Sequence, residues 1–196
     1  MKESFDIIIA GIGGQGTILA SNIIGEACII EERTVRGAET HGMAQRGGSV
    51  ECQVRIDGRH GPLIVPGEAD LLIAFDLLEA LRYSHFLREG EVAVVNDHLV
   101  PPTSVFLQNL LMPTPGEILE MLRARGFRVS LIDAAAIATE AGSVLAQNVV
   151  ILGAASHHLP LAVDSLALAV ERLVPAKTVA INQKAFLLGR DLAGGC

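Results

Sequence analysis

The chain has no tryptophan, a single tyrosine and only three cysteines. Those cysteines, Cys28, Cys52 and Cys196, stand far apart. There is no C-x-x-C pair and no ferredoxin-like cysteine run, so the sequence houses no iron–sulfur cluster. An odd, sparse set suits a reducing cytoplasm rather than a disulfide framework. Basic residues are also scarce. Fifteen Lys and Arg face 22 Asp and Glu, a net charge of −7, which argues against a nucleic-acid footprint. No apolar run approaches the roughly 20 residues needed to cross a bilayer. The opening Met1-Lys2-Glu3-Ser4-Phe5-Asp6 has no signal-peptide pattern. A cytoplasmic protein is expected, without nucleic-acid or membrane partners. Chemistry-bearing motifs are missing too. None of the six histidines stands in metal-binding spacing, and neither G-x-S-x-G nor a P-loop lysine occurs. No catalytic residue and no metal ligand can be assigned from the chain alone.

What is present is aliphatic. Half of the 196 residues are apolar, with Ala, Val, Ile and Leu dominating, as parallel strands covered by helices require. The length suits one α/β domain. The expected fold is a Rossmann-like, mostly parallel sheet with helices on both faces and an inserted β-hairpin. A single domain over 1–190 and a tail over 191–196 are expected, since no linker, repeat or low-complexity tract interrupts the chain.

The first turn organises the rest. An apolar run, Ile7-Ile8-Ile9-Ala10, reads as a buried strand, and Gly11-Ile12-Gly13-Gly14-Gln15-Gly16-Thr17 follows. Gly11, Gly13 and Gly16 have the spacing G-x-G-x-x-G, which permits a sharp turn, a close backbone approach to a ligand and tight helix packing. A helix from about Gly16 to Ile30 is expected, and its N-terminus suits a phosphate. Gly11, Gly13, Gly14, Gln15, Gly16 and Thr17 are therefore candidate cofactor-binding residues. The alternative is a purely structural turn. The acid that a dinucleotide-binding fold places on the ribose has only Glu31 and Glu32 near its position, at the end of a helix rather than of a second strand.

Residues 32–49 change character, with four glycines and three arginines. A short strand is expected near Thr34-Val35 and irregular chain beyond it. Arg33, Arg36, Arg46 and His41 form a local basic cluster, read either as an anion-handling or partner-contacting loop or as arginines paired to Glu31, Glu32 and Glu39. Val50 to Ile56 alternates with period 2, and Asp57-Gly58 signals a hairpin to a strand over 59–65. Further on, Asp70–Asp76, Glu91–Asn96 and Phe127–Ile132 read as strands. Asp76 and Asn96 would stand at the ligand-binding edge of the sheet or act as caps. Leu77–Leu87 reads as helical. Thr114-Pro115-Gly116-Glu117 fits a capping box opening a helix to Arg125. A short helix or turn follows over Ala134–Glu140. Gln147–Ala155 reads as a buried helix with Gly153 at a close contact. Asp164 is expected to cap a helix over Ser165–Leu173, and a last helix over Asn182–Leu188 to stop at Gly189.

Three stretches together resemble one family: Gly13-Gly14-Gln15-Gly16, then Glu39-Thr40-His41-Gly42-Met43-Ala44-Gln45-Arg46-Gly47-Gly48-Ser49, then Glu68-Ala69-Asp70-Leu71-Leu72-Ile73-Ala74. The chain resembles the gamma-type subunit of the 2-oxoacid:ferredoxin oxidoreductases, most strongly the beta subunit of the indolepyruvate branch, over nearly its whole length. The resemblance implies a non-autonomous enzyme subunit. The complex would convert a 2-oxoacid such as indolepyruvate, coenzyme A and oxidised ferredoxin into acyl-CoA, carbon dioxide and reduced ferredoxin. Thiamine diphosphate, magnesium and iron–sulfur clusters would sit on a large partner subunit, which agrees with the missing cysteine clusters and thiamine motif here. Coenzyme A would meet the Gly11–Thr17 turn. His41, Met43, Gln45, Arg46, Gly47 and Gly48 would face the substrate or partner. The alternatives are a gamma subunit for pyruvate or a branched-chain 2-oxoacid, a stand-alone dinucleotide-binding protein, and an interaction module with no ligand of its own.

Overall fold

A computed structural model describes residues 4–41, 48–102, 105 and 111–193. Strand β1 (Phe5–Ile12) leads through the glycine turn into helix α1 (Thr17–Ile30), then β2 (Val35–His41) and β3 (Ser49–Ile56). After an irregular stretch come β4 (Ala69–Ala74), α2 (Leu77–Tyr83) and β5 (Leu87–Asn96). Helix α3 (Pro115–Ala124) precedes β6 (Arg128–Ile132), α4 (Ala134–Ala141), α5 (Gln147–Ala155), α6 (Val163–Leu173) and α7 (Val179–Ala193). The six strands form one sheet in the order β2-β3-β1-β4-β5-β6. The β1–β4, β4–β5 and β5–β6 pairs are parallel, whereas β3 runs antiparallel to both neighbours.

The central strand is apolar without interruption because both its faces are covered. Ile7 and Ile9 enter the core beneath α1, α5 and α6, while Ile8 and Ala10 enter the core beneath α2 and α3. Helix α5 carries no polar stripe, and Asn148 to Ala155 are all buried, as expected for a helix surrounded by others. A Cβ on Gly153 would collide with the Phe186 carbonyl of α7, and one on Gly189 with the Val150 carbonyl of α5. These two glycines let the two helix backbones touch.

Several expectations hold. Thr114 and Glu117 close the capping box, α1 begins and ends where the periodicity placed it, and Gly153 is a packing glycine. Others are corrected. The hairpin partner of β3 is β2, not a strand over 59–65. Its register with β3 carries β2 on to His41, well past Thr34-Val35, because β3 supplies ladder partners that residues 59–65 do not. Asp164 lies in the first turn of α6, whose N-cap is Ala162, without a side-chain bond. Gly189 is interior to α7, because helix–helix contact, not a stop, selects it. The expected tail is accordingly helical at least to residue 193. The helical run after Asp76 ends earlier than expected. A 3-10 turn over Ser84–Phe86 follows α2, and β5 already begins at Leu87.

Candidate functional site

Helix α1 leaves β1 on one face of the sheet and leads to β2 and then β3, on one side of β1. Helix α2 leaves β4, on the other side of β1, over the opposite face. The carboxyl ends of β1 and β4 therefore flank a topological switch point, where open α/β sheets bind ligands. A cleft of about 150 Å³ opens there, lined by Gly14, Gln15, Phe75, Asn96, His98, Val144, Leu145, Gln147 and Asn148.

The glycine turn builds one wall. Gly14 has φ 102°, and a Cβ there would meet nothing within 4 Å, so this residue faces open space. Gly16 has φ 85°, and a Cβ there would be driven into the Asn148 side chain, 2.9 Å from its Cγ. That contact seats the turn on α5. Gln15 folds back: its Oε1 accepts from the Ile12 N–H at 2.7 Å, while its Nε2 lies 3.5 Å from His98 Nδ1. Gly11 and Thr17 lie underneath, both buried. The Thr17 hydroxyl finds no hydrogen-bond partner among the described residues. It would lie 2.9 Å from a Cβ on Gly11. Of the six residues expected to meet a cofactor, the structure thus brings Gly14 and Gln15 to the cleft. Gly13 and Gly16 shape the turn, and Gly11 and Thr17 support it.

Helix α2 supports the opposite side of the cleft, which Asn96 and His98 line. Asp76 is fully buried and caps it. Its Oδ1 accepts from the N–H groups of Leu78 (2.9 Å) and Glu79 (3.4 Å), and its Oδ2 accepts from Val100 N–H at 2.8 Å. The same Oδ2 lies 3.6 Å from His98 Nδ1. One turn further, buried Glu79 accepts from the Ser49 hydroxyl and from Arg82 Nε. Ser49 also meets the Tyr83 hydroxyl at 2.9 Å. Burial pushes the Tyr83 phenol up. The Ser49 bond opposes that shift, and the charges of Glu51 and Glu79 add to it. Asn96 ties strand ends together, donating to Phe75 O and accepting from Ala134 N–H.

Gly48 joins the two stretches singled out in the sequence, since its carbonyl accepts from Gly13 N–H at 2.8 Å. His41 ends β2, opposite Val50. Met43, Gln45, Arg46 and Gly47 lie outside the described residues. Arg33 and Arg36 do not form a free basic cluster. Arg33 donates to Asp57 (2.6 Å) and to Pro160 O. Arg36 donates to Gly58 O and to His60 O (2.8 Å). Glu31 caps the C-terminal end of α1 and accepts from Ala162 N–H at 2.7 Å. Sequence reasoning missed His98, Val144, Leu145, Gln147 and Asn148. No local pattern marks them, because packing from distant segments brings them to the turn. Among the described residues no group of three or more His, Cys, Asp or Glu could hold a metal ion. No helix among them is long and apolar enough to cross a membrane.

Comparison with known proteins now bears on this geometry. The family model described as pyruvate ferredoxin/flavodoxin oxidoreductase matches residues 6–192. Indolepyruvate oxidoreductase subunit IorB of Archaeoglobus fulgidus is 40% identical over 190 residues, covering 96% of this chain and 94% of that protein. The common gamma subunit of the pyruvate/ketoisovalerate oxidoreductases of Thermococcus litoralis is 30% identical over 154 residues, 76% of this chain and 75% of that protein. A crystal structure of the gamma subunit of a keto/oxoacid ferredoxin oxidoreductase from Geobacter sulfurreducens superposes with a TM-score of 0.71 at 26% identity, covering 98% of this chain and 99% of that one.

Proposed function

The chain belongs to the pyruvate ferredoxin/flavodoxin oxidoreductase family, as a subunit of a 2-oxoacid:ferredoxin oxidoreductase, and from that membership we propose that it serves an indolepyruvate-type enzyme and holds the phosphate-bearing part of coenzyme A on its glycine turn. The complex converts an arylpyruvate, coenzyme A and oxidised ferredoxin into acyl-CoA, carbon dioxide and reduced ferredoxin. The 40% identity to an indolepyruvate oxidoreductase subunit supports the choice of substrate. The carrying observation for coenzyme A is the cleft at the switch point, floored by the turn and the start of α1. The first amides of a helix have no acceptor within it and carry partial positive charge, which favours a phosphate.

Size argues that this chain forms only part of the site. About 150 Å³ falls below the roughly 300–1,000 Å³ of a pocket that encloses a whole small ligand. A phosphate-sized group fits, and the rest of coenzyme A would lie along the surface or against the partner. Thiamine diphosphate, magnesium and the iron–sulfur clusters would reside on the large partner subunit. In support of the last of these, Cys28 and Cys52 are buried and the sequence has no cysteine cluster. Thiamine diphosphate, held by the partner, would supply the decarboxylation chemistry, and this chain's residues bind and orient. A cytoplasmic location follows from the same assignment.

The test is a pair of variants titrated with coenzyme A by calorimetry in the assembled complex. Gly14→Asn and Gly14→Asp impose the same backbone strain at φ 102°, but only the second adds a negative charge. Like charges brought together cost up to several kcal/mol, so Gly14→Asp should bind at least tenfold more weakly than Gly14→Asn. Equal affinities would remove the ligand from the turn. A second reading, a subunit acting on pyruvate or a branched-chain 2-oxoacid, draws on the 30% identity to the common gamma subunit. A panel of 2-oxoacids on the complex separates the two.

A further inference from the structure

Among the described residues lining the cleft, His98 is the sole ionisable side chain. The other groups that line it, from the glycine turn, Phe75 after β4, Asn96 on β5, the 3-10 turn before α5 and the start of α5, are all uncharged. An anion held only by amides would be weakly neutralised. His98 is built to supply the missing charge. Its backbone is fixed at both ends, its N–H donating to Asn96 O and its carbonyl accepting from Leu77 N–H, each at 2.8 Å. Its Nδ1 lies 3.6 Å from Oδ2 of the fully buried Asp76 carboxylate, to which a protonated ring can donate, while the Gln15 Nε2, 3.5 Å away, is itself a donor and bonds the ring only when Nδ1 is unprotonated. The ring is about half exposed and lines the cleft. The acids around it are Asp76 behind the ring and the exposed Asp97 next to it in the chain.

We propose that His98, backed by Asp76, is the cation that meets the anion on the glycine turn and that it takes up a proton as the anion binds. This rests on the glycine turn holding a phosphate-bearing ligand. Imidazole exchanges protons near neutral pH. A phosphate bound beside the ring favours its charged form. The bond formed is a charge-assisted hydrogen bond from Nε2–H to a phosphate oxygen, and the proton comes from solvent.

The experiment titrates coenzyme A into the assembled complex by calorimetry at pH 7.5, in buffers of different ionisation enthalpy, so that proton uptake is counted directly. The wild type should take up a fraction of a proton on binding. His98→Gln should bind roughly tenfold or more weakly, the size of a lost hydrogen bond to a charged group, with the uptake gone. His98→Lys, which is charged throughout, should recover most of the affinity without the uptake. A merely structural role predicts no such split between affinity and proton count. If His98→Gln keeps the wild-type affinity and uptake while Gly14→Asp weakens binding, the assignment of His98 is overturned and the glycine-turn site stands. If the wild type binds no coenzyme A, the underlying site is wrong and His98 falls with it.

Discussion

Replacing Gly153 by Ala tests whether the α5–α7 contact is as tight as the geometry requires. A Cβ at this position would overlap the Phe186 carbonyl oxygen and lie 3.0 Å from its carbon and 3.1 Å from Arg190 N. All three are backbone atoms, so no side-chain rotation relieves the contact, and one helix must move. The rest of α5 is buried from Asn148 to Ala155, so a shift is felt on every side. Overpacking of this kind costs about 1–3 kcal/mol, against which the helix preference of Ala over Gly returns about 1 kcal/mol. The net loss should be up to about 2 kcal/mol. At roughly 2–4 °C per kcal/mol for a chain of this size, the midpoint of thermal unfolding should drop by up to about 8 °C. Gly25→Ala is the control. It sits inside α1 with nothing within 4 Å of the added Cβ, so the same chemical change should stabilise by about 0.5–1 kcal/mol. Circular dichroism melts of both variants decide the matter. If Gly153→Ala stabilises as much as Gly25→Ala, the two backbones do not touch as described.

Two further outcomes follow from buried groups. Arg55 pairs with buried Asp6 through Nε at 2.7 Å and Nη2 at 3.2 Å, and that bond holds its guanidinium above the ordinary range against the opposing effect of burial. Arg55→Met removes the two-pronged partner of the buried Asp6 carboxylate and should cost about 3–5 kcal/mol in urea denaturation, while exchanging both, Asp6→Leu with Arg55→Met, should recover most of the loss. Burial pushes the Cys28 and Cys52 thiols up to about 11 and about 12. Their neutral form is therefore favoured in the folded state, and their contribution to stability is whole below pH 9 and falls as pH rises past it, where unfolded thiols ionise first. Iodoacetamide at pH 8 should leave both unmodified until urea is added, as read by mass spectrometry; labelling of the native protein would contradict their burial.

The parallel half of the fold was legible because β1, β4, β5 and β6 are strands whose apolar patterns and flanking turn signals are local. So were the capping box at Thr114 and the close contact at Gly153. The hairpin was misassigned because Asp57-Gly58 is a good turn signal and nothing in residues 36–41 declares a strand. Val35–His41 carries a glycine and two charged residues, Arg36 and Glu39, and extends as a strand by pairing with β3. Gly189 was misread for a related reason. A glycine near a helix end suggests a stop, and only the distant Val150 carbonyl reveals it as a packing residue. At the site, the turn itself was legible, whereas Asn148 and His98 came from segments more than 80 residues away. Their role depends on which helix the turn rests against, and that is a tertiary fact.

Helix α2 does more than cover the sheet. Its cap, Asp76, fixes the chain at Val100 and holds His98 on one side of the cleft. Three residues later, Glu79 holds Ser49, and the neighbouring Gly48 carbonyl holds Gly13. Both flanks of the glycine turn are thus referred to the same seven-residue helix, which the fully buried Leu77 and Ala80 lock onto the sheet. A carboxylate in each position is needed because each accepts from more than one donor in a buried setting, which a neutral amide cannot do without turning an N–H toward one of them. The acids of α2 therefore belong to the architecture of the cleft rather than to its chemistry. The residues left to act on a ligand are those that the helix holds in place: the turn amides, Gln15 and His98. Under the proposed function, that division lets this chain shape part of an active site by presenting a rigid, pre-formed edge to which a partner would add the reacting groups.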